Sequence, residues 1–158
     1  MLFRSADNFF GFRFEGDNLD ITNAATDFRR TSAVYRDPSA WYHVVVAADT
    51  TQATDTNRVK MYINGVQVTS FVSTNYPPQN ANLPVNDTKL HGFGYYSPTN
   101  AGYLDGYLSD CYLIDGQQLD PSYFGQTSAI TGVWEPKSYT GTYGTNGFHL
   151  EFKDTTVG

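Results

Sequence analysis

A single cysteine, Cys111, is all the thiol chemistry this chain has. One cysteine cannot close an internal disulfide, and no Cys/His companions stand beside it at metal-ligand spacing. A disulfide scaffold and a zinc module are thereby excluded. Cys111 lies in an apolar strand pattern and reads as a small buried hydrophobe. Charge is also scarce: Asp, Glu, Lys and Arg make up 16% of 158 residues, 10 basic against 16 acidic, for a formal charge of −6. Such a chain offers no basic field to a polyanion. Its one adjacent basic pair, Arg29 and Arg30, would split to opposite faces of a strand. Nucleic acid is not an expected partner. No apolar run is long enough to span a bilayer and no signal-peptide pattern opens the chain, so membrane insertion is not expected and the chain reads as made in a cytoplasm.

What the chain has instead is aromatic residues and glycine. Its 12 Tyr, 11 Phe and 14 Gly favour a rigid, sheet-rich protein over a disordered one. The stretch 41–71 sets the pattern. Trp41-Tyr42-His43-Val44-Val45-Val46-Ala47-Ala48 is almost continuously apolar, as in a strand buried on both faces. Val59, Met61 and Ile63 then alternate with Lys60, Tyr62 and Asn64, which predicts a half-buried strand. Asn64-Gly65 tolerates positive φ at both positions and predicts a tight hairpin before Val66 and Val68. Upstream, residues 9–14 and 19–22 read as strands about the turn Glu15-Gly16-Asp17-Asn18, and residues 28–36 as a third ended by Asp37-Pro38. Downstream, residues 90–96 and 103–114 read as strands, the second with a bulge at Gly106, and residues 148–152 as a last alternating strand. Asp120 as cap, Pro121 at the first position and Gly125 as stop predict one short helical turn near residues 120–124. Residues 50–57 and 73–88 read as exposed loops. Trp41 and Trp134 are expected to be buried anchors. The predicted fold class is all-β: an antiparallel two-sheet sandwich with at most one short helical turn.

Four features in order carry a resemblance: Trp41-Tyr42-His43-Val44-Val45; Met61-Tyr62-Ile63-Asn64-Gly65; Leu104-Asp105-Gly106-Tyr107-Leu108-Ser109-Asp110; and the apolar strand and helical turn that follow. Together they resemble the concanavalin A-like jelly roll, and within it the laminin-G-like group, whose patterns are W-x-H-V, Y-I-N-G and F-x-G-x-I-x-D. Leu104 and Leu108 depart from the aromatic and aliphatic positions of the last. The resemblance implies a jelly roll over 1–125 and a Gly/Tyr-rich extension over 126–158 whose final strand packs on the same domain. Family members open with a strand of the type T-W-S-x-W-V-K ahead of the Leu2-Phe3 position, which this sequence lacks. The sheet edge is therefore expected to be completed by residues 148–152, by a neighbouring chain or by an upstream segment.

The tail is more particular. Val133-Trp134-Glu135-Pro136, Tyr139-Thr140-Gly141 and Tyr143-Gly144-Thr145-Asn146-Gly147-Phe148-His149-Leu150-Glu151-Phe152 resemble a segment of virion-associated proteins of tailed bacteriophages. There such modules sit in tail fibres or capsid appendages. The resemblance implies a non-enzymatic virion module that binds host-surface carbohydrate or other virion subunits, trimeric by family analogy. Laminin-G-like modules often hold one calcium ion, and Asp49, Asp55 and Asp87 stand in loops suited to it.

Exposed aromatic rings stack on sugar faces while amides and carboxylates meet the hydroxyls. Tyr95, Tyr96 and Tyr103 flank the tip 97–102 with its Asn100, and Tyr76 sits in the Pro-rich loop; these five are the candidate carbohydrate-binding residues. The alternatives are a glycoside hydrolase on the same fold, or a purely architectural capsid or tail protein with no ligand. Glu15-Gly16-Asp17-Asn18-Leu19-Asp20 loosely imitates the E-x-D-x-x-E motif of family 16 glucanases, but Gly16 and Asn18 make it a turn and Asp20 replaces the second Glu, so it reads first as a solvated hairpin tip. His43, His91 and His149 are far apart and each lies in a strand, with no nucleophile motif near them.

Overall fold

The computed structural model describes residues 2–5, 10–23, 26–86, 88, 90–95 and 103–153. In chain order its first nine strands are β1 (Phe3–Ser5), β2 (Phe10–Glu15), β3 (Asn18–Asn23), β4 (Thr26–Val34), β5 (Val44–Ala48), β6 (Val59–Ile63), β7 (Val66–Gln67), β8 (Phe71–Thr74) and β9 (His91–Phe93). They form a six-stranded sheet in the order β8-β4-β3-β2-β1-β9 and a three-stranded sheet β5-β6-β7. All of these pairings are antiparallel. The expected all-β antiparallel sandwich is what the chain makes.

Local chemistry explains the hairpins. Between β2 and β3, Gly16 and Asp17 take φ of 54° and 71°; between β6 and β7, Asn64 and Gly65 take 48° and 81°. Two successive positive φ values give the turn whose twist matches paired strands. The strands then aim alternate side chains inward. Phe3, Phe10, Leu19, Ile21 and Phe28 from the larger sheet meet Val59 and Met61 from the smaller, with Val44, Val46, Ile63 and Val68 packed around them. Leu19, Ile21 and Met61 are closed to solvent, and each such burial stabilises by about 2 kcal/mol.

The opposite face of β3 carries a buried charge. Asp20 pairs in register with Arg13 on β2 and Arg30 on β4. Arg30 donates to both carboxylate oxygens at 3.1 and 3.0 Å, and Arg13 Nη2 lies 3.5 Å away. Asp20 itself is fully buried.

The remaining strands come from the tail: β10 (Cys111–Leu113), β11 (Gly125–Thr127), β12 (Trp134–Pro136) and β13 (Phe148–Leu150). β11 pairs with β12 and β10 with β13. Tyr112 stacks on His149 at 4.1 Å between centroids, and Phe124 packs between Tyr112 and Tyr139. β13 thus takes β10 as its partner and does not complete the six-stranded sheet, whose outer strands are β8 and β9.

Trp134 docks this tail on the 64–65 hairpin. Its indole lies against Gly65 and Gly125, and its Nε1 donates to His43 Nδ1 at 3.1 Å. The indole nitrogen only donates, so His43 Nδ1 must accept and the ring is neutral in this contact. Burial holds the His43 pKa below its ordinary value. An unfolded histidine titrates near about 6.5, so just below that pH the unfolded chain binds the extra proton first. This contribution to stability is complete above pH ~6.5 and is lost as pH falls through the lower folded value. Thermal melting followed from about pH 7 to 5 is expected to show that loss, and His43→Asn, which keeps an acceptor, to flatten it. An identical acid slope in the variant would refute the assignment.

Several expectations need correction. β5 is covered less evenly than expected: Val44, Val46 and Ala48 pack against the core half-buried, while on its outer face Ala47 is buried and Val45 is half-buried. Trp41 is 66% exposed, and Trp134 alone serves as an anchor. Residues 103–110 form no strand: Asp110 takes φ of 50° and breaks the extended run, leaving only Cys111–Leu113 paired. Gly106 is exposed and has no close neighbour that would need its missing side chain. The 90–96 strand is shortened to His91–Phe93; Phe9 and Tyr96, expected strand ends, lie outside the described residues. Pro121–Tyr123 is the predicted turn, with Asp120 accepting from the Ser122 N–H at 2.8 Å. Single 3-10 turns also occur at Asp55–Asn57 and Pro84–Asn86, so helical turns are not limited to one. The loops 49–58 and 75–83 hold each other. Arg58 donates to the carbonyls of Gln52, Ala53 and Pro77, and Thr50 to that of Ala81.

Candidate functional site

The outer face of β5 and β6 lines a groove of about 340 Å³, within the size range of small-molecule sites. Because Val59 and Met61 point inward, Lys60 and Tyr62 point out into it. The 118–123 segment forms the other wall. Gln118 fixes it by donating to the carbonyls of Asn57 at 2.9 Å and Ala47 at 3.4 Å. Buried Pro121 and the Asp120 cap then set the 3-10 turn that presents Tyr123, which is 48% exposed. The groove therefore has two tyrosine rings, Tyr62 and Tyr123, with Lys60, Asp120 and Gln118 as its polar groups. Burial and then the negative charge of Asp120 raise the Tyr62 pKa, so its hydroxyl stays protonated and able to donate at neutral pH.

The five tyrosine and asparagine candidates are not all brought together. Tyr95 and Tyr103 stack at 6.3 Å with rings 23° apart, Tyr95 lying over Gly92 of β9 and Tyr103 69% exposed. Tyr76 is elsewhere: it follows β8, the opposite edge of the six-stranded sheet, roughly 24 Å away at ordinary strand spacing. There it packs on the Arg29 guanidinium. Tyr96 and Asn100 lie outside the described residues.

The carboxylates of the glucanase-like stretch each meet an arginine. Glu15 lies 3.3 Å from Arg13, Asp17 2.9 Å from Arg36, and Asp20 is the buried partner of Arg13 and Arg30. Asp20 has no exposed surface with which to touch a sugar. Of the three aspartates considered for calcium, Asp49 is engaged by its own loop. Both Asp49 oxygens accept from within its own loop, one from Thr51 and the other from Gln52, and these donors hold its pKa low. Asp55 opens a 3-10 turn, and Asp87 lies outside the described residues. Among the described residues no group of three or more His, Cys, Asp or Glu could hold a metal ion. The histidines stay apart: His43 meets Trp134, His91 lies 2.8 Å from the Val85 carbonyl, and His149 lies 3.0 Å from Asp110. Burial raises the Cys111 pKa, which suits the inert role expected of it.

Sequence reasoning missed the groove. The outward alternation of Lys60 and Tyr62 was visible, but only folding brings Asp120 and Tyr123 beside them. No curated protein and no solved structure matches the chain. A family model of laminin-G type, described as the concanavalin A-like lectin/glucanases superfamily, matches residues 1–118. With that span of its 158 residues matched and two antiparallel sheets facing across one apolar core, the chain belongs to the concanavalin A-like lectin/glucanases superfamily.

Proposed function

We propose that this protein is a non-enzymatic carbohydrate-binding module whose ligand lies in the groove between β6 and the 118–123 turn. Membership of a lectin and glucanase superfamily supports a carbohydrate-related role. The observation that carries the assignment is the pairing of Tyr62 and Tyr123 with Lys60, Asp120 and Gln118 around one groove of sugar-accommodating size. Aromatic faces take the C–H surface of a pyranose, and the amide, carboxylate and ammonium take its hydroxyls. The arginine partners of Glu15, Asp17 and Asp20 favour binding over hydrolysis. The biological setting we propose is a tailed-bacteriophage virion appendage that binds a host-surface glycan or other virion subunits. Its support is the pattern of residues 133–152.

A glycan array tests the activity. Neutral oligosaccharides are expected to bind, and Tyr123→Ala to weaken binding about fivefold to tenfold while preserving the fold, since the ring is half exposed. An array without a hit, or a hit indifferent to Tyr123, would leave an architectural role in its place. Light scattering of the purified protein tests the proposed trimer.

A further inference from the structure

Arg29 is only 5% exposed, and among the described residues no carboxylate pairs with it. Its neighbour Arg30 shows what a guanidinium in this sheet ordinarily receives, a bidentate contact with Asp20. Arg29 has instead one long hydrogen bond, from Nη2 to the Val59 carbonyl at 3.3 Å, while its Nε is buried without a partner. Its Nη1 makes no hydrogen bond among the described residues. The cation is held in place by two rings, 4.0 Å from the Tyr76 centroid and 4.6 Å from that of Phe71.

These rings line a second cavity, of about 210 Å³, which opens between β7 and β8, the outer strands of the two sheets. Thr56 and Gln67 add polar groups to its wall, and Lys60 adds a second cation that likewise has no carboxylate partner among the described residues. A buried guanidinium without a counterion is costly, whereas the two rings flanking the cation restrain it and leave it N–H groups with no acceptor among the described residues. A carboxylate would supply both the missing charge and the missing acceptors. The cavity is smaller than a drug-sized pocket, enough for about one sugar ring, and it shares Lys60 with the 340 Å³ groove.

We infer that the Arg29 crevice binds the carboxylate of an acidic sugar, a hexuronate unit of a polysaccharide whose neutral units lie in the Tyr62–Tyr123 groove. The inference rests on the carbohydrate reading above and adds the class of sugar. An acidic protein thus carries one local cationic crevice, suited to a single carboxylate and too small for a polyanion backbone.

The test uses the folded wild-type protein labelled with 15N. The Arg29 Nε–Hε resonance is expected to shift on titration with glucuronic acid and to stay in place with glucose. Arg29→Lys keeps the charge but loses the fork and the stacking, and is expected to weaken glucuronate binding about tenfold while neutral oligosaccharides still bind through Tyr123. An Arg29 signal unmoved by glucuronate, with neutral sugars still bound, overturns this inference and leaves the groove assignment intact. An equal shift with acetate overturns the sugar part, since the crevice would then take any small carboxylate. Silence toward both neutral and acidic sugars overturns both readings together. If Arg29→Lys fails to fold, the wild-type titration decides alone.

Discussion

Replacing Asp20 by Asn will destabilise the protein by about 3 kcal/mol, while Glu15→Gln and Asp17→Asn will each change stability by less than about 0.5 kcal/mol. Asp20 is fully buried and its carboxylate neutralises Arg30 directly and Arg13 at 3.5 Å. An amide keeps the shape but removes the buried charge that the two guanidinium groups share, leaving Arg13 its exposed contact with Glu15. Both arginines remain about a quarter exposed, so water offsets part of the cost, and the lower end of the range for breaking a buried pair applies. Glu15 and Asp17 lie at the hairpin tip with half of their side-chain surface in solvent, where an ion pair contributes little. For a domain of this size the Asp20 variant should melt roughly 6–12 °C lower. The measurement also separates two ideas about the stretch 15–20: a catalytic set would lose activity with little loss of stability, whereas a structural clamp does the reverse. An Asp20→Asn protein as stable as wild type would refute the clamp.

Gly125→Ala is expected to cost about 2 kcal/mol and Gly65→Ala about 3 kcal/mol, both through Trp134. A methyl group at either glycine would run into the indole, at Gly65 near its Cε3 and Cζ3 edge and at Gly125 near Cζ2 and Nε1. Moving the indole away from either methyl would disturb its hydrogen bond to His43. Gly65 adds a second cost, since its φ of 81° strains any residue with a Cβ. In a Trp134→Ala background the steric part disappears, so Gly125→Ala should become nearly neutral while Gly65→Ala keeps its backbone cost. Denaturant midpoints of the four proteins make this double-mutant comparison. Fully additive losses would show that the glycines act without the ring.

What could be read from the residues was what local chemistry controls. The turns at Gly16-Asp17 and Asn64-Gly65, the inward set Val59 and Met61, and the Asp120-Pro121 cap each depend on a few neighbouring residues, and each was legible. Failures came where a distant segment decides the outcome. The apolar run at 44–48 looked buried on both faces, but the 118–123 turn covers only part of its outer side and leaves a groove. Trp41 and Trp134 are chemically alike; the two glycines and His43 that meet Trp134 come from three separate places in the chain. The candidate tyrosines were grouped by exposure and composition, and strand order then put Tyr76 and Tyr95 at opposite edges of one sheet. Strand order is a non-local property, and nothing near either residue encodes it.

The strand order also bears on how the sheet is assembled. β2, β3 and β4 follow one another closely, but β1 joins β9 only after most of the matched domain has been threaded between them. Closing so long a loop carries an entropy cost that the local hairpins avoid. β9 is therefore placed to be the last strand to join the larger sheet and the first to leave it. Tyr95 rides directly behind that strand and carries Tyr103 with it. The stacked tyrosine pair at this rim thus sits behind the strand that closes the longest loop of the sheet, and through the contacts of His91 and Phe93 with Phe3 any opening there would reach the core.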